Sequence, residues 1–287
     1  MASSRTSDQR PVALVTGASR GIGKAAALRL AQAGFDLAIT ARTVFRGEGR
    51  DDSDVGQGAP IGGSLEETAE EVVARGARCT SVAADVLDLD SMTRAVDEVL
   101  TRCGRIDVLV NNAIYTGPGG MLELREITAA QLTDRLLGNV VAQLVITQAV
   151  LPQMLARGGG IIINVSSHVA VADPPAPVGQ GGWGFGYAAS KAAFHKMAPI
   201  LALELGSQGI VAFNVDPGFV NTEKQVANAE RNGLAGHYLG APPTVPAEVI
   251  AWLATSPKAT ALSGQLVRAQ KVALEHGLHP EWRIVDD

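Results

Sequence analysis

Seven short apolar runs recur along the chain: Val12–Thr16, Phe35–Thr40, Thr80–Ala84, Ile106–Val110, Gly160–Val165, Ile210–Val215 and Gln265–Val267. Between most of them lie segments with helical spacing, at Ile22–Ala33, Leu65–Arg75, Asp88–Cys103, Thr128–Ala156 and Tyr187–Leu205. Strand and helix in alternation predict a parallel sheet, because parallel neighbours are joined by crossovers whose helices then cover both faces. Strands covered on both faces have no solvent side, so they read as unbroken apolar runs; Ile161-Ile162-Ile163 and Val108-Leu109-Val110 are of this kind. With 287 residues, 46% apolar and 18% charged, the chain can fill one large core. The prediction is an α/β fold, a single domain with a doubly wound parallel sheet in three α/β/α layers.

Around a body at 11–270, the sequence predicts a loose polar tail at 1–10 and a C-terminal extension at 271–287. Stretches 43–63, rich in Gly, Asp and Arg, and 173–186, rich in Pro and Gly, have no periodicity and read as inserted loops, the second the better functional candidate. The irregular stretch 219–246, with Pro242-Pro243, reads as a substrate lid. A net charge of −5 with scattered Lys and Arg leaves no basic stripe for nucleic acid. The first ten residues lack the roughly 7–15-residue apolar core of a secretory signal, and no stretch reads as the ~20 apolar residues of a membrane span. The expected setting is cytoplasmic. Cys79 and Cys103 have neither zinc nor redox spacing, so neither a metal site nor a disulfide framework is expected. The glycosylation match Asn164-Val165-Ser166 falls inside an apolar run and reads as chance.

Thr16-Gly17-Ala18-Ser19-Arg20-Gly21-Ile22-Gly23 follows a strand and opens a helix. In that setting glycines let the backbone turn tightly against a pyrophosphate, and the N–H groups at the helix start favour its charge. A phosphate loop of the ATPase kind is a near miss: Gly17 and Gly23 are one residue too far apart, and Ala25 stands where a magnesium-holding Ser or Thr belongs. After the second run the sequence reads Ala41-Arg42-Thr43. Without an acid for a ribose 2′-hydroxyl, Arg42 is placed for a 2′-phosphate with Arg20 beside it, which favours NADP(H) over NAD(H).

From Val12 to about Gln270 these residues resemble the short-chain dehydrogenases/reductases of the classical type, a Rossmann-type fold. The Thr-Gly-xxx-Gly-x-Gly turn carries the resemblance, followed in order by Asp85-Val86, Asn111-Asn112-Ala113, Asn139, Ser167, Tyr187-Ala188-Ala189-Ser190-Lys191, and Pro217-Gly218 with Thr222. The resemblance implies that Gly17, Ser19, Arg20, Gly21, Ile22 and Gly23 hold the dinucleotide, with Arg42 and Thr43 at its phosphate end. It implies that Asp85 and Val86 meet the adenine and that Asn112 and Ala113 line the ribose and nicotinamide. Val220 and Thr222, beyond the Pro217-Gly218 turn, would hold the carboxamide and pyrophosphate. It further implies that long helices pair subunits into a homotetramer or dimer.

Tyr187 and Lys191 are four apart on a predicted helix and share one face. A phenol's ordinary pKa near 10 is too high for acid/base work at neutral pH, and a nearby ammonium together with an oxidised nicotinamide would favour the phenolate. By resemblance, Lys191 also binds the nicotinamide ribose, Ser167 rather than Ser166 hydrogen-bonds the substrate oxygen, and Asn139 holds a water in a relay behind Lys191. The expected reaction interconverts a ketone or aldehyde and an alcohol by hydride transfer. Ser167 lacks the Gly-x-Ser-x-Gly elbow that would make it a hydrolase nucleophile, and His168 is expected to line the pocket or pack.

Three departures stand out. Ile114 replaces the glycine usual after Asn-Asn-Ala, Phe213 stands where Asn is usual with Asn214 displaced by one, and an aromatic stretch with Trp183 and Phe185 precedes Tyr187. Rings facing the pocket would suit a bulky or aromatic substrate; rings against a neighbouring subunit would be structural. An NAD(H)-dependent alcohol dehydrogenase of the same family and a non-catalytic dinucleotide sensor remain as alternatives.

Overall fold

The computed structural model describes residues 10–231 and 240–283. Its strands are β1 (Val12–Thr16), β2 (Asp36–Ala41), β3 (Arg50–Asp51), β4 (Ala59–Pro60), β5 (Cys79–Ala83), β6 (Val108–Asn111), β7 (Gly160–Val165), β8 (Ile210–Asp216) and β9 (Leu266–Arg268). Seven of them form one sheet in the order β5-β2-β1-β6-β7-β8-β9, every neighbouring pair parallel. The chain runs from β1 outward through β2 and β5, then returns to place β6 on the other flank of β1. The topological switch point therefore lies between β1 and β6, where diverging crossovers leave a crevice beyond the strands' carboxyl ends.

Helices α1 (Gly21–Gln32), α2 (Leu65–Ala74), α3 (Leu89–Cys103), α4 (Ala129–Leu136), α5 (Ala142–Ala156), α6 (Phe185–His195), α7 (Met197–Leu205), α8 (Glu223–Arg231), α9 (Thr244–Thr255) and α10 (Ala269–Glu275) complete the fold. Successive strand residues serve opposite layers. Val108 and Val110 pack with α1, α2, α9 and α10, whereas Leu109 packs with α3, α5 and α7. Each core takes every second residue, which is why the strand sequences show no alternation.

Two helices expected to be continuous are broken, for different reasons. Between α4 and α5 the backbone widens into a π-helical turn at Leu137–Val141, which carries Asn139; such bulges concentrate at functional sites. Between α6 and α7, Pro199 has no N–H for the carbonyl of His195, and the Asn214 side chain donates to that oxygen instead, at 2.6 Å. The run Ala129–Ala156 has the length and mean hydropathy, 1.3, of a membrane-crossing helix, which corrects the expectation that no stretch does. In the fold its Ala142, Ile146, Val150 and Met154 are fully buried in the core that α3 shares.

The expected boundary at 270 falls inside α10. Ala273 is buried, Leu278 and Trp282 pack on the core, and the Trp282 indole donates to the Gln270 carbonyl at 3.3 Å, so the described part of the extension belongs to the same body. Of the expected tail, lid and extension, residues 1–9, 232–239 and 284–287 lie outside the described residues.

Candidate active site

The ends of β1, β6, β7 and β8 converge on the crevice. In the turn after β1, Gly17 and Gly21 take φ of +66° and +57°, the left-handed region that favours glycine. A Cβ on Gly23 would overlap the Gly17 carbonyl. Thr16 Oγ1 accepts from the backbone N–H groups of Asn112 (3.0 Å) and Ala113 (2.9 Å), while Asn112 Nδ2 donates to the carbonyls of Thr16 (2.9 Å) and Gly17 (3.1 Å). Asn112 thus braces the glycine turn, and its amide is committed there. Ser19 is buried beneath the turn, and Ile22 packs into the core from the first turn of α1.

The N-terminus of α1 faces a carboxylate: Gly21 N–H donates to Glu223 Oε2 at 2.9 Å. Thr222 packs its methyl beside Gly21, and Val220 is buried and bridges Ala241. The Pro217-Gly218 turn is held by Gln270, whose Nε2 donates to the carbonyls of Pro217 (3.0 Å) and Phe219 (2.9 Å). The glycine turn and the start of helix α8 therefore meet across Gly21.

At the other end of the crevice the arginines are tied to the inserted loop. Arg20 donates to the carbonyls of Gly62 (2.7 Å) and Gly63 (2.9 Å) and to Thr43 Oγ1 (3.2 Å), and Arg42 pairs with Asp52. Loop 43–63 is not formless: β3 and β4 make a small antiparallel hairpin, too short for any period to mark. At its heart Asp51, its side chain fully buried, accepts from Ser53 Oγ (2.7 Å) and pairs with Lys224 and Arg231 of α8, both at 3.1 Å. Burial alone would raise the Asp51 pKa, but Ser53 and Lys224 overcome it and hold the carboxyl below its ordinary value. Asp54 accepts from the N–H groups of Gly119 and Gly120, so the loop also reaches the segment after β6. Asp85, after β5, accepts from Leu87 N–H at 3.0 Å, and Val86 lies against Gly138 of the π turn.

Beyond β7, alternation separates the two serines. Ser166 is buried and lies 3.4 Å from His195 Nδ1, whereas Ser167, whose Oγ accepts from Val169 N–H at 3.3 Å, is the serine that acts on the Tyr187 phenol. His168 is exposed, neither packed nor buried in the cleft. Lys191 is 3% exposed and donates to the Val165 carbonyl at 2.8 Å. Burial brings its pKa down to about 8, with Asp216 opposing. The Tyr187 phenol is pushed up by burial and by the Asp216 carboxylate, with Ser167 and the Arg135 guanidinium acting the other way. In the chain without cofactor the Lys191 ammonium is turned to Val165, and Arg135 is the cation that acts on the phenol. Asn139 accepts from Tyr115 N–H (2.7 Å) and donates to Ser190 Oγ (3.0 Å), so its side chain anchors α6 to the π turn.

A family model described as short chain dehydrogenase matches residues 11–51 and 59–233. A 3-oxoacyl-(acyl-carrier-protein) reductase of Staphylococcus epidermidis is 33% identical over 262 residues, 89% of this chain and 95% of that protein. The chain belongs to the short-chain dehydrogenase family. Among solved structures, a 3-oxoacyl-(acyl-carrier protein) reductase from Brucella melitensis is 30% identical with a TM-score of 0.72, over 92% of this chain and 96% of that one. A short chain dehydrogenase from Mycobacterium paratuberculosis bound to NAD is 27% identical with a TM-score of 0.72, over 90% of this chain and 96% of that one. As a member of this family the chain is an oxidoreductase that uses a nicotinamide dinucleotide.

Within this short-chain dehydrogenase several residues near the site have contacts that no spacing in the sequence announced. Asn111, Asn164 and Asn214 stand at one register of β6, β7 and β8 and form a buried amide ladder, Asn111 Nδ2 to Asn164 Oδ1 at 3.0 Å and Asn164 Nδ2 to Asn214 Oδ1 at 3.4 Å. The displaced Asn214 thus serves the ladder and His195, Phe213 fills the core, and the sequon asparagine is inaccessible. Arg135 is buried with its Nε unpartnered; it donates to the Tyr115 and Gly117 carbonyls and stands 5.5 Å from the Tyr115 ring. Asp216 was legible as an acid at a strand end just before Pro217-Gly218. Trp183 and Phe185, with Leu122, Leu124, Pro177 and Ala188, line an apolar cavity of about 680 Å³ at the start of α6.

Proposed function

We propose that the chain is an NADP(H)-dependent carbonyl reductase or alcohol dehydrogenase in which Tyr187 exchanges a proton with the substrate oxygen, assisted by Ser167, Lys191 and Asn139. The observation that carries this reading is the one face of α6 that bears Tyr187 and, one helical turn beyond it, the buried Lys191, whose bond to the Val165 carbonyl sets that face against the end of β7, where Ser167 follows. A bound nicotinamide dinucleotide supplies the hydride and, when oxidised, a positive charge that favours the phenolate. The left-handed Gly17 and Gly21, the overlap that any larger residue would cause at position 23, and the anion-seeking N–H of Gly21 suit such a molecule. Ser167 steadies the substrate oxygen as charge develops, and Tyr187 carries its proton. Asn139 holds the π turn against α6, which keeps Tyr187 and Lys191 in register with Ser167.

Arg42, with no acid at Ala41, supports NADP(H). NAD(H) is a second reading, supported by the Arg42–Asp52 pair. The apolar cavity supports a bulky substrate. Val141, Leu144, Ile200 and Leu203, exposed along the 137–156 helical stretch and on α7, support a homo-oligomer. The test is oxidation of NADPH and NADH by purified protein with a panel of ketones, followed at 340 nm for wild type and Tyr187→Phe. Turnover by wild type that falls at least ~100-fold in the variant is expected for loss of a proton-transfer group. Tight dinucleotide binding with no turnover, unchanged by Tyr187→Phe, would leave the sensor reading instead.

A further inference from the structure

We propose that Asp52 is the residue by which this chain discriminates between the two nicotinamide dinucleotides, an inference that rests on the dinucleotide reading above. Arg42 sits directly after β2, where an arginine takes a 2′-phosphate and an acid takes a 2′-hydroxyl. The chain supplies both functions at that place, from two different segments: the guanidinium of Arg42 and, paired with it, the carboxylate of Asp52. An NADP(H) phosphate reaching Arg42 must displace Asp52 or stand beside it with like charge. The NAD(H) ribose meets an acceptor for its hydroxyl.

An exposed ion pair ordinarily means little, because two long side chains are free to leave it. Here the carboxylate is held from both sides. Its neighbour Asp51 is fully buried between Lys224 and Arg231, which fixes the backbone one residue away. Beyond the hairpin, Gly62 and Gly63 are gripped by Arg20. Gly63, at φ +94°, lies so close over Ser19 and Arg20 that a Cβ there would collide with the Ser19 carbonyl. Asp54 is fastened to Gly119 and Gly120 on the far side of the crevice. The loop thus presents Asp52 in place before a cofactor arrives. Arg20, spent on carbonyls of the same loop, is not at hand as a second phosphate anchor. The family model's match also breaks at 52–58, so this carboxylate lies outside the pattern that the family model matches.

The experiment is titration calorimetry of NADPH and NADH into the full chain as wild type, Asp52→Asn, Arg42→Gln and the double variant, at fixed ionic strength. Asp52→Asn removes one negative charge beside a near-dianionic phosphate. It is expected to tighten NADPH on the order of tenfold while NADH is unchanged or weakens a few-fold. In the Arg42→Gln background the same substitution is expected to give a smaller gain for NADPH, because only the like-charge repulsion is relieved and no guanidinium is freed for the phosphate. A ratio of the two dissociation constants within twofold of wild type, or an equal shift in both, would overturn the assignment of Asp52. Failure of wild type to bind either dinucleotide would overturn the dinucleotide reading itself, and the inference with it.

Discussion

The two ends of the cleft are built by opposite means. At the proposed catalytic end Tyr187, Lys191, Asn139 and Ser167 are placed by β7, by α6 and by the π turn; Lys191 and Asn139 are buried, Lys191 fixed by a hydrogen bond to Val165 and Asn139 by bonds to Ser190 and Tyr115. At the far end Arg42 and Asp52 are about half exposed, the first set by the end of β2 and the second by the 43–63 insertion. Burial gives the first end its shifted proton affinities, since desolvation disfavours charge, and leaves it little freedom to vary. The second end has charge without burial, so single substitutions there change preference more readily than they change the fold. The two insertions divide along the same line: 173–186 walls an apolar cavity at the start of α6, while 43–63 is a polar strap joining glycine turn, helix α8 and the segment after β6.

The sharpest test of this contrast is Lys191→Met. Because burial holds the folded pKa at about 8 against an ordinary 10.5, the unfolded chain binds the extra proton between those values. The term therefore favours the fold above pH 10.5, is lost as pH falls toward 8, and is flat below. Removing the buried ammonium at pH 7 is expected to abolish turnover yet raise the melting temperature of the cofactor-free protein by several degrees, for about 2–3 kcal/mol. A lower melting temperature would mean that the bond to Val165 outweighs the cost of burial.

Next in size is Asp51→Asn, which leaves Lys224 and Arg231 without their shared carboxylate. It is expected to cost about 2–3 kcal/mol in urea unfolding and to speed hydrogen exchange across 223–231, with the pH profile of turnover unmoved. Since the Asp51 pKa is depressed, the wild-type advantage is present above the ordinary carboxyl value and disappears as pH falls through the folded one. A shifted pH profile would mean that strap and catalytic end are not separate. The smallest effect is expected for Glu223→Gln, which removes a negative charge from the start of α1. Dinucleotide dissociation constants measured by fluorescence should fall about two- to fivefold, the ~0.3–1 kcal/mol of a charge at a helix terminus. Weaker binding would make Glu223 part of the binding surface.

Much of the fold was legible because two-sided burial writes itself into sequence. The runs at Val12–Thr16 and Gly160–Val165 coincide with β1 and β7, and the others lie within two residues of their strands. The breaks in the long helices were not legible: apolar spacing runs straight through Leu137–Val141, and the effect of Pro199 depends on Asn214 arriving from a distant strand. The strap escaped notice because two-residue strands carry no period and its fastenings, Asp51 to Lys224 and Arg231, are more than 170 residues apart.

The sequence by itself determined the order of elements, the glycine turn and the local pairing of Tyr187 with Lys191, since each follows from near-neighbour spacing. Only the tertiary structure decided which cation acts on the Tyr187 phenol, how the three asparagines join across the sheet, and what Arg42 meets at the end of β2. Those outcomes depend on burial and charge contributed by distant segments, and neither quantity belongs to a residue until the chain has closed around it.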